Sequence, residues 1–153
     1  MEIFRIAFIG HRRIDDLRRV EDQIQKIIQQ NLRSKDFVEL FVGRNGDFDI
    51  AVASAAKRAQ NACGNENSAL ILVQPYPMKD DPYFEKFYDE LQYPIERAET
   101  HPKAAITKRN RWMIDQADLL VAYVHPNQHG GAHTALQYAR QRGVPTLNLA
   151  IEE

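Results

Sequence analysis

The 153-residue sequence contains a single cysteine, Cys63, which excludes an intramolecular disulfide and any multi-cysteine zinc site. It lacks long apolar runs: none approaches the roughly 20 residues that a membrane-spanning helix needs. Glu2 and Arg5 interrupt the amino terminus before a signal-peptide core can build, and His11-Arg12-Arg13 ends the stretch. A soluble, cytoplasmic protein with no membrane partner is therefore expected. An excess of either charge is also missing, since 20 basic residues face 21 acidic ones and the net charge is −1. That balance disfavours nucleic acid as a partner, because a polyanion binder carries an electrostatic surplus. Glycine is scarce, with seven residues, too few for a low-complexity chain. What remains, 44% hydrophobic and 27% charged, is the composition of one globular domain spanning 1–153.

Apolar runs alternate with helical patterns along the chain. Strands are predicted at 3–9, 37–42, 68–73, 119–124 and 145–149, and the run Ser68-Ala69-Leu70-Ile71-Leu72-Val73 reads as buried on both faces. Helical spacing joins Leu17, Val20, Ile24, Ile27, Ile28 and Leu32 over 14–32, and then Phe48, Ala51, Val52, Ala55, Ala56 and Ala59. Further helices are expected at 104–116 and from Gly131 to Gly143. The stretch 75–102 is rich in proline and aromatic residues and reads as an insert or lid, with a short helix near 83–91. The alternation predicts an α/β, Rossmann-like, doubly wound fold: a mainly parallel sheet of five or more strands with helices on both faces.

Ligands in such sheets bind beyond the carboxyl ends of the strands. Four loops meet that condition: Gly10-His11-Arg12, Gly43 through Asp49, Gln74-Pro75-Tyr76-Pro77, and His125 through Gly131 leading into Thr134. They are expected to converge on one cleft. Gly130-Gly131 before a helix is a phosphate signal, because free N–H groups and the helix dipole favour an anion there; Thr134 adds a hydroxyl. The other reading is a tight entry turn. Gly43 and Gly46 are open to the same two readings, with Asp47 as a helix cap. Neither loop matches the dinucleotide or Walker fingerprint, so ordinary dehydrogenases and kinases are not expected.

On the helix at 104–116, Arg109 and Asn110 fall between Ile106 and Met113 on the apolar stripe. A guanidinium directed inward needs a carboxylate, such as Asp49 or Asp118, or a bound anion. His125, His129 and His133 recur every four residues, but Gly130-Gly131 breaks a continuous helix and no acidic residue accompanies them, so no metal is expected.

Four segments occur in the same order in one group: Ile9-Gly10-His11-Arg12, Gly43-Arg44-Asn45-Gly46-Asp47-Phe48-Asp49, Lys108 through Asp115, and Gly130 through Ala139. On these the chain resembles the SLOG superfamily, named for the Smf/DprA DNA-processing proteins and the LOG cytokinin-activating enzymes, and within it the small bacterial YpsA-like members. The resemblance implies a Rossmann-like domain, a nucleotide or nucleotide-derivative ligand at the strand ends, no further cofactor, and homodimers. It carries over ligand-binding roles to Gly10, His11, Arg12, Gly43, Gly46, Asp49, Arg109, Asn110, Gly130, Gly131 and Thr134. LOG enzymes are phosphoribohydrolases with a P-G-G-x-G-T-x-x-E motif. Here His133 replaces its third glycine and Gln137 its glutamate, while Asn110 stands where the enzymes have lysine. A neutral amide cannot act as a general base, so no catalytic residue is assigned. A binding or sensing module is expected, with a nucleoside-monophosphate phosphoribohydrolase or N-glycosidase as the alternative and a single-stranded nucleic-acid binder as a third reading.

Overall fold

The computed structural model describes residues 1–44, 46–75, 87–94 and 101–150. Its elements follow in the order β1 (Ile3–Gly10), α1 (Leu17–Ser34), β2 (Phe37–Val42), α2 (Asp47–Cys63), β3 (Ser68–Val73), β4 (Glu90–Gln92), α3 (Pro102–Gln116), β5 (Leu119–Tyr123), α4 (Gly131–Gln141) and β6 (Thr146–Asn148). All strand pairs are parallel, and the sheet order is β4-β3-β2-β1-β5-β6. The expected Rossmann-like architecture is present.

Strand alternation sorts the apolar side chains into two layers. Ile6, Phe8, Leu40, Val42, Leu70, Leu72 and Val121 pack under α1 and α2, where Val20, Ile24, Ile28 and Leu32 form the buried stripe of α1. Ala51, Ala55, Ala56 and Ala59 let α2 lie close to its neighbours. On the opposite face, Ala7, Ile9, Phe41, Ile71, Val73, Leu120 and Ala122 meet Met113 and Ile114 of α3 and Ala135, Leu136 and Ala139 of α4. With both faces covered, the strands read as continuous apolar runs.

The chain moves outward from β1 through β2 and β3 to β4, then returns to β5 on the other side of β1. The order therefore reverses between β1 and β5, which places the crevice of a doubly wound sheet beside Gly10 and Tyr123, paired in register.

Two expectations change. Glu90–Gln92, at the end of the helix expected near 83–91, pairs with β3 as a sixth strand. Asp89 anchors it: its carboxylate accepts N–H bonds from Leu70 (2.7 Å) and Gln60 (3.0 Å), and its own N–H donates to Leu70 O. The remainder of the expected lid, 76–86 and 95–100, lies outside the described residues. Asp47 does not cap its own helix, whose N-cap is Gly46. Its Oδ2 accepts the N–H of Ile14 (3.1 Å) and its N–H donates to Arg12 O (2.8 Å), so it ties the loop after β2 to the loop after β1.

Gly10 is required by packing, since a Cβ there would lie 2.4–2.8 Å from the ring of Phe48, which is fully buried. Gly10→Ala is expected to destabilise the fold by about 1–3 kcal/mol, as overpacking of a filled core does. Chemical denaturation checks this, and adding Phe48→Leu should restore part of the loss.

Candidate functional site

A cavity of about 680 Å³ opens at the carboxyl edge of the sheet. One wall is the loop after β1, Gly10 to Arg13; beneath it lie Gly43, from the end of β2, and Asp49, from the first turn of α2. α3 supplies Lys103, Ile106, Thr107, Arg109, Asn110 and Met113, and the approach to α4 supplies Gln128 to Ala132 and Thr134. Its size falls within the range of small-molecule sites, roughly 300–1,000 Å³.

Of the residues singled out in the sequence, Gly10, His11, Arg12, Gly43, Asp49, Arg109, Asn110, Gly130, Gly131 and Thr134 line this space. Gly46 does not; a Cβ there would meet the Arg12 backbone at 2.5–2.8 Å, so its smallness serves the contact between loops. Of the third strand end, Tyr76 and Pro77 lie outside the described residues. Gln74 is buried and its N–H donates to Gln92 O, and neither Gln74 nor Pro75 lines the cavity. Strand β3 contributes through the carbonyl of Val73 instead.

That carbonyl holds Arg109. Arg109 is 4% exposed, its Nη1 donates to Val73 O (3.2 Å) and its Nε donates to Asn110 Oδ1 (3.0 Å). Gly43 makes room for it, since a Cβ there would stand 2.3 Å from Nη1. Both oxygens that fix the guanidinium are neutral, and Nη2 has no hydrogen-bond partner among the described residues. No side-chain nitrogen or oxygen among those residues is fully buried without a partner, so Nη2 keeps its access through the cavity. Asp118 is not the counter-ion; its Oδ2 accepts the N–H of Arg5. Burial pulls the Arg109 pKa down from its ordinary value, and the charge of Asp49 opposes this. Asp49 is itself nearly buried on α2.

Opposite, α4 begins without a side-chain cap. Gly130 has φ 155° and ψ −164°, a conformation open essentially to glycine alone. A Cβ at Gly130 or Gly131 would meet nothing within 4 Å, so both backbones border open space. The Thr134 hydroxyl donates to Gly130 O (3.1 Å), which leaves its lone pairs as acceptors and fixes the entry to the helix.

His11 joins the two strands at the crevice. Its N–H donates to Tyr123 O (3.2 Å), and its Nε2 accepts the N–H of His125 (3.0 Å). Behind it, the Tyr123 hydroxyl donates to Asp16 Oδ1 (2.9 Å) and lies 3.2 Å from His125 Nε2. Burial and that carboxylate push the Tyr123 pKa up to about 12. Burial works against ionisation of Asp16, but hydrogen bonds from Arg19 and Tyr123 outweigh it and hold the Asp16 carboxyl below its usual range. His129 and His133 meet edge to face at 4.7 Å. Among the described residues no group of three or more His, Cys, Asp or Glu has a metal-holding arrangement.

Arg13, Lys103, Thr107 and Gln128 line the cavity without having been assigned from sequence. Lys103 and Thr107 were within reach, because they extend the face of Ile106 and Asn110 by helical spacing. Arg13 and Gln128 sit in loops, where no periodicity marks a face. Among the described residues the charged side chains of the lining are Arg12, Arg13, Lys103 and Arg109 against Asp49, in a nearly neutral chain.

Burial, followed by the charges of His125 and His133, lowers the His11 pKa below 6.5. The unfolded chain therefore takes up a proton where the folded chain does not. The stability contributed by neutral His11 is complete above pH 6.5 and is lost as pH falls toward the folded value. Melting temperatures measured from pH 7 downward should fall in acid, and the fall should be shallower for His11→Gln.

No family model matches the sequence, and no curated protein sequence does either. Solved structures do match the fold. DNA processing protein A from Streptococcus pneumoniae superimposes with a TM-score of 0.68 at 15% identity, over 94% of this chain and 49% of its own. Its Helicobacter pylori counterpart, described for its single-stranded DNA binding mode, gives 0.63 at 15% identity, over 94% and 63%. The molybdenum cofactor carrier protein of Chlamydomonas reinhardtii gives 0.59 at 14% identity, over 99% and 79%. The chain thus spans about half to under two thirds of the DNA-processing proteins. At these identities the likeness is one of fold. Two of these neighbours are DNA-processing proteins, so the expectation that nucleic acid is no partner finds no support here. Among the described residues no helix is long and apolar enough to cross a membrane. The chain shares the Rossmann-like fold of these proteins.

Proposed function

We propose that the chain binds a nucleotide or nucleotide derivative in this cavity as a homodimeric, YpsA-like SLOG module that needs no further cofactor and does not hydrolyse its ligand. The observation that carries this reading is Arg109: a residue 4% exposed, its guanidinium held by two neutral oxygens, with Nη2 left toward the cavity. A buried cation of this kind calls for an anion, and the uncapped start of α4 at Gly130-Gly131 offers backbone N–H groups and a positive dipole end to the same anion. The proposed phosphate lies between them. Gln137 is exposed on α4 and outside the cavity lining, and it offers no carboxylate to assist glycosidic cleavage. The hydrolase reading would instead rest on Asp49, the carboxylate of the lining among the described residues, or on one from the 80–90 stretch. Release of free base from nucleoside monophosphates, lost in Asp49→Asn, would establish it.

A specific observation favours a second reading. Arg12, Arg13 and Lys103 add positive charge around Arg109, and a structural neighbour is described as binding single-stranded DNA. A single strand threading this edge would bind with steep salt dependence; tight, salt-sensitive binding of an oligonucleotide that AMP does not displace would decide for it.

The principal test is calorimetry with AMP. Arg109→Met keeps an apolar stem in the same space and removes the charge. AMP affinity should fall roughly 10–100-fold, the loss of a charge-assisted hydrogen bond. The melting temperature should change little, because relief of the buried charge offsets the lost bond to Val73 O. Unchanged AMP binding would remove the reading.

A further inference from the structure

We propose that His11 is a specificity-determining residue of the cavity, held as a neutral imidazole protonated at Nδ1 that donates this N–H to an uncharged acceptor of the ligand, a sugar oxygen or a base nitrogen or carbonyl. This rests on the nucleotide-binding reading above and adds to it the part of the ligand that is not phosphate.

The tautomer follows from one contact. A backbone N–H can only donate, so the His125 N–H at 3.0 Å requires a lone pair on His11 Nε2. The ring proton must then sit on Nδ1. His11 is 6% exposed, and its ring sits 5.8 Å from the His125 ring in a stacked pair and 6.1 Å from Tyr123 edge to face. These contacts fix its plane. Nδ1 has no hydrogen-bond partner among the described residues, and no side-chain nitrogen there is both fully buried and unpartnered. What remains accessible of His11 faces the cavity that it lines.

The acceptor should be uncharged. A phosphate against Nδ1 would favour the imidazolium, and the second proton would have to enter on Nε2, facing the His125 N–H. Burial and the neighbouring His125 and His133 also oppose that charge. The anion has its own partners at Arg109 and the start of α4. The site thus divides into a cationic part for phosphate and a neutral donor for sugar or base.

Two amides separate the two nitrogens of His11. The longer side chain of His11→Gln reaches the Nε2 position and can still accept from His125, but it has no donor at Nδ1. His11→Asn does the opposite. Binding of inorganic phosphate, ribose 5-phosphate and AMP is measured for wild type and both variants. His11→Gln should lose roughly tenfold in AMP affinity, one neutral hydrogen bond, with phosphate affinity unchanged. His11→Asn should keep AMP binding within about threefold while melting lower, since it loses the bond to His125. A loss shared by ribose 5-phosphate assigns the acceptor to the sugar; a loss confined to AMP assigns it to the base. Nitrogen-15 spectra of the free wild type should show protonation at Nδ1. Protonation at Nε2, or AMP binding by His11→Gln equal to wild type, overturns the proposal while leaving the phosphate site standing. Equal losses of phosphate and AMP also overturn it. If none of the three probes binds wild type, the nucleotide reading itself falls and the donor role with it.

Discussion

The organising constraint of this protein is a positive charge held almost out of water. Arg109 reaches the sheet from α3 and finds the carbonyl of Val73 at the end of β3, the Asn110 amide beside it, and the space left by Gly43 at the end of β2. The bond to Val73 O joins α3 to β3, and the guanidinium lies against Gly43 just after β2. Neutral oxygens satisfy its geometry without cancelling its charge. Burial of a charge on those terms is costly, and it is tolerated where something else offsets it. Part of that offset is the charge of Asp49, and the cavity lies beside the guanidinium as well.

The crossing of chain direction between β1 and β5 supplies the rest. A parallel sheet opens at this point because the connections leave in opposite directions, and here the gap is bridged by a side chain rather than by further ladder. His11 takes the N–H of His125 where β5 has just ended. The crevice is therefore braced at its base, while its rim carries Arg12, Arg13 and Lys103. A nearly neutral composition conceals this. Net charge reports the whole surface, but a ligand meets only the charges that the fold gathers around it.

Much of this was readable from residue order. The alternation of apolar runs implied the parallel sheet, and Arg109 and Asn110 on the apolar stripe of α3 marked the site because polar groups at such positions need a reason to be there. The loops after β1, β2 and β5 were legible for the same cause: small and polar residues directly after buried strands. Other features were hidden in contacts between distant segments. β4 has three residues with polar ends, too short to show a period, and it exists because Asp89 captures Leu70 and Gln60. Asp47 looked like a helix cap because its local sequence fits one, but Ile14 claims its carboxylate. The tautomer of His11 depends on a backbone group 114 positions away, which no local pattern reports.

The pair of contacts at Asp47 has a wider meaning. Through it, and through Gly46 lying on the Arg12 backbone, the first two loops of the cleft form one mechanical piece. Neither can lengthen or reshape without dragging the other, and Gly10 under Phe48 pins their common base. The half of the cavity formed by residues 128–132 and α3 has no backbone–backbone hydrogen bond to these two loops among the described residues.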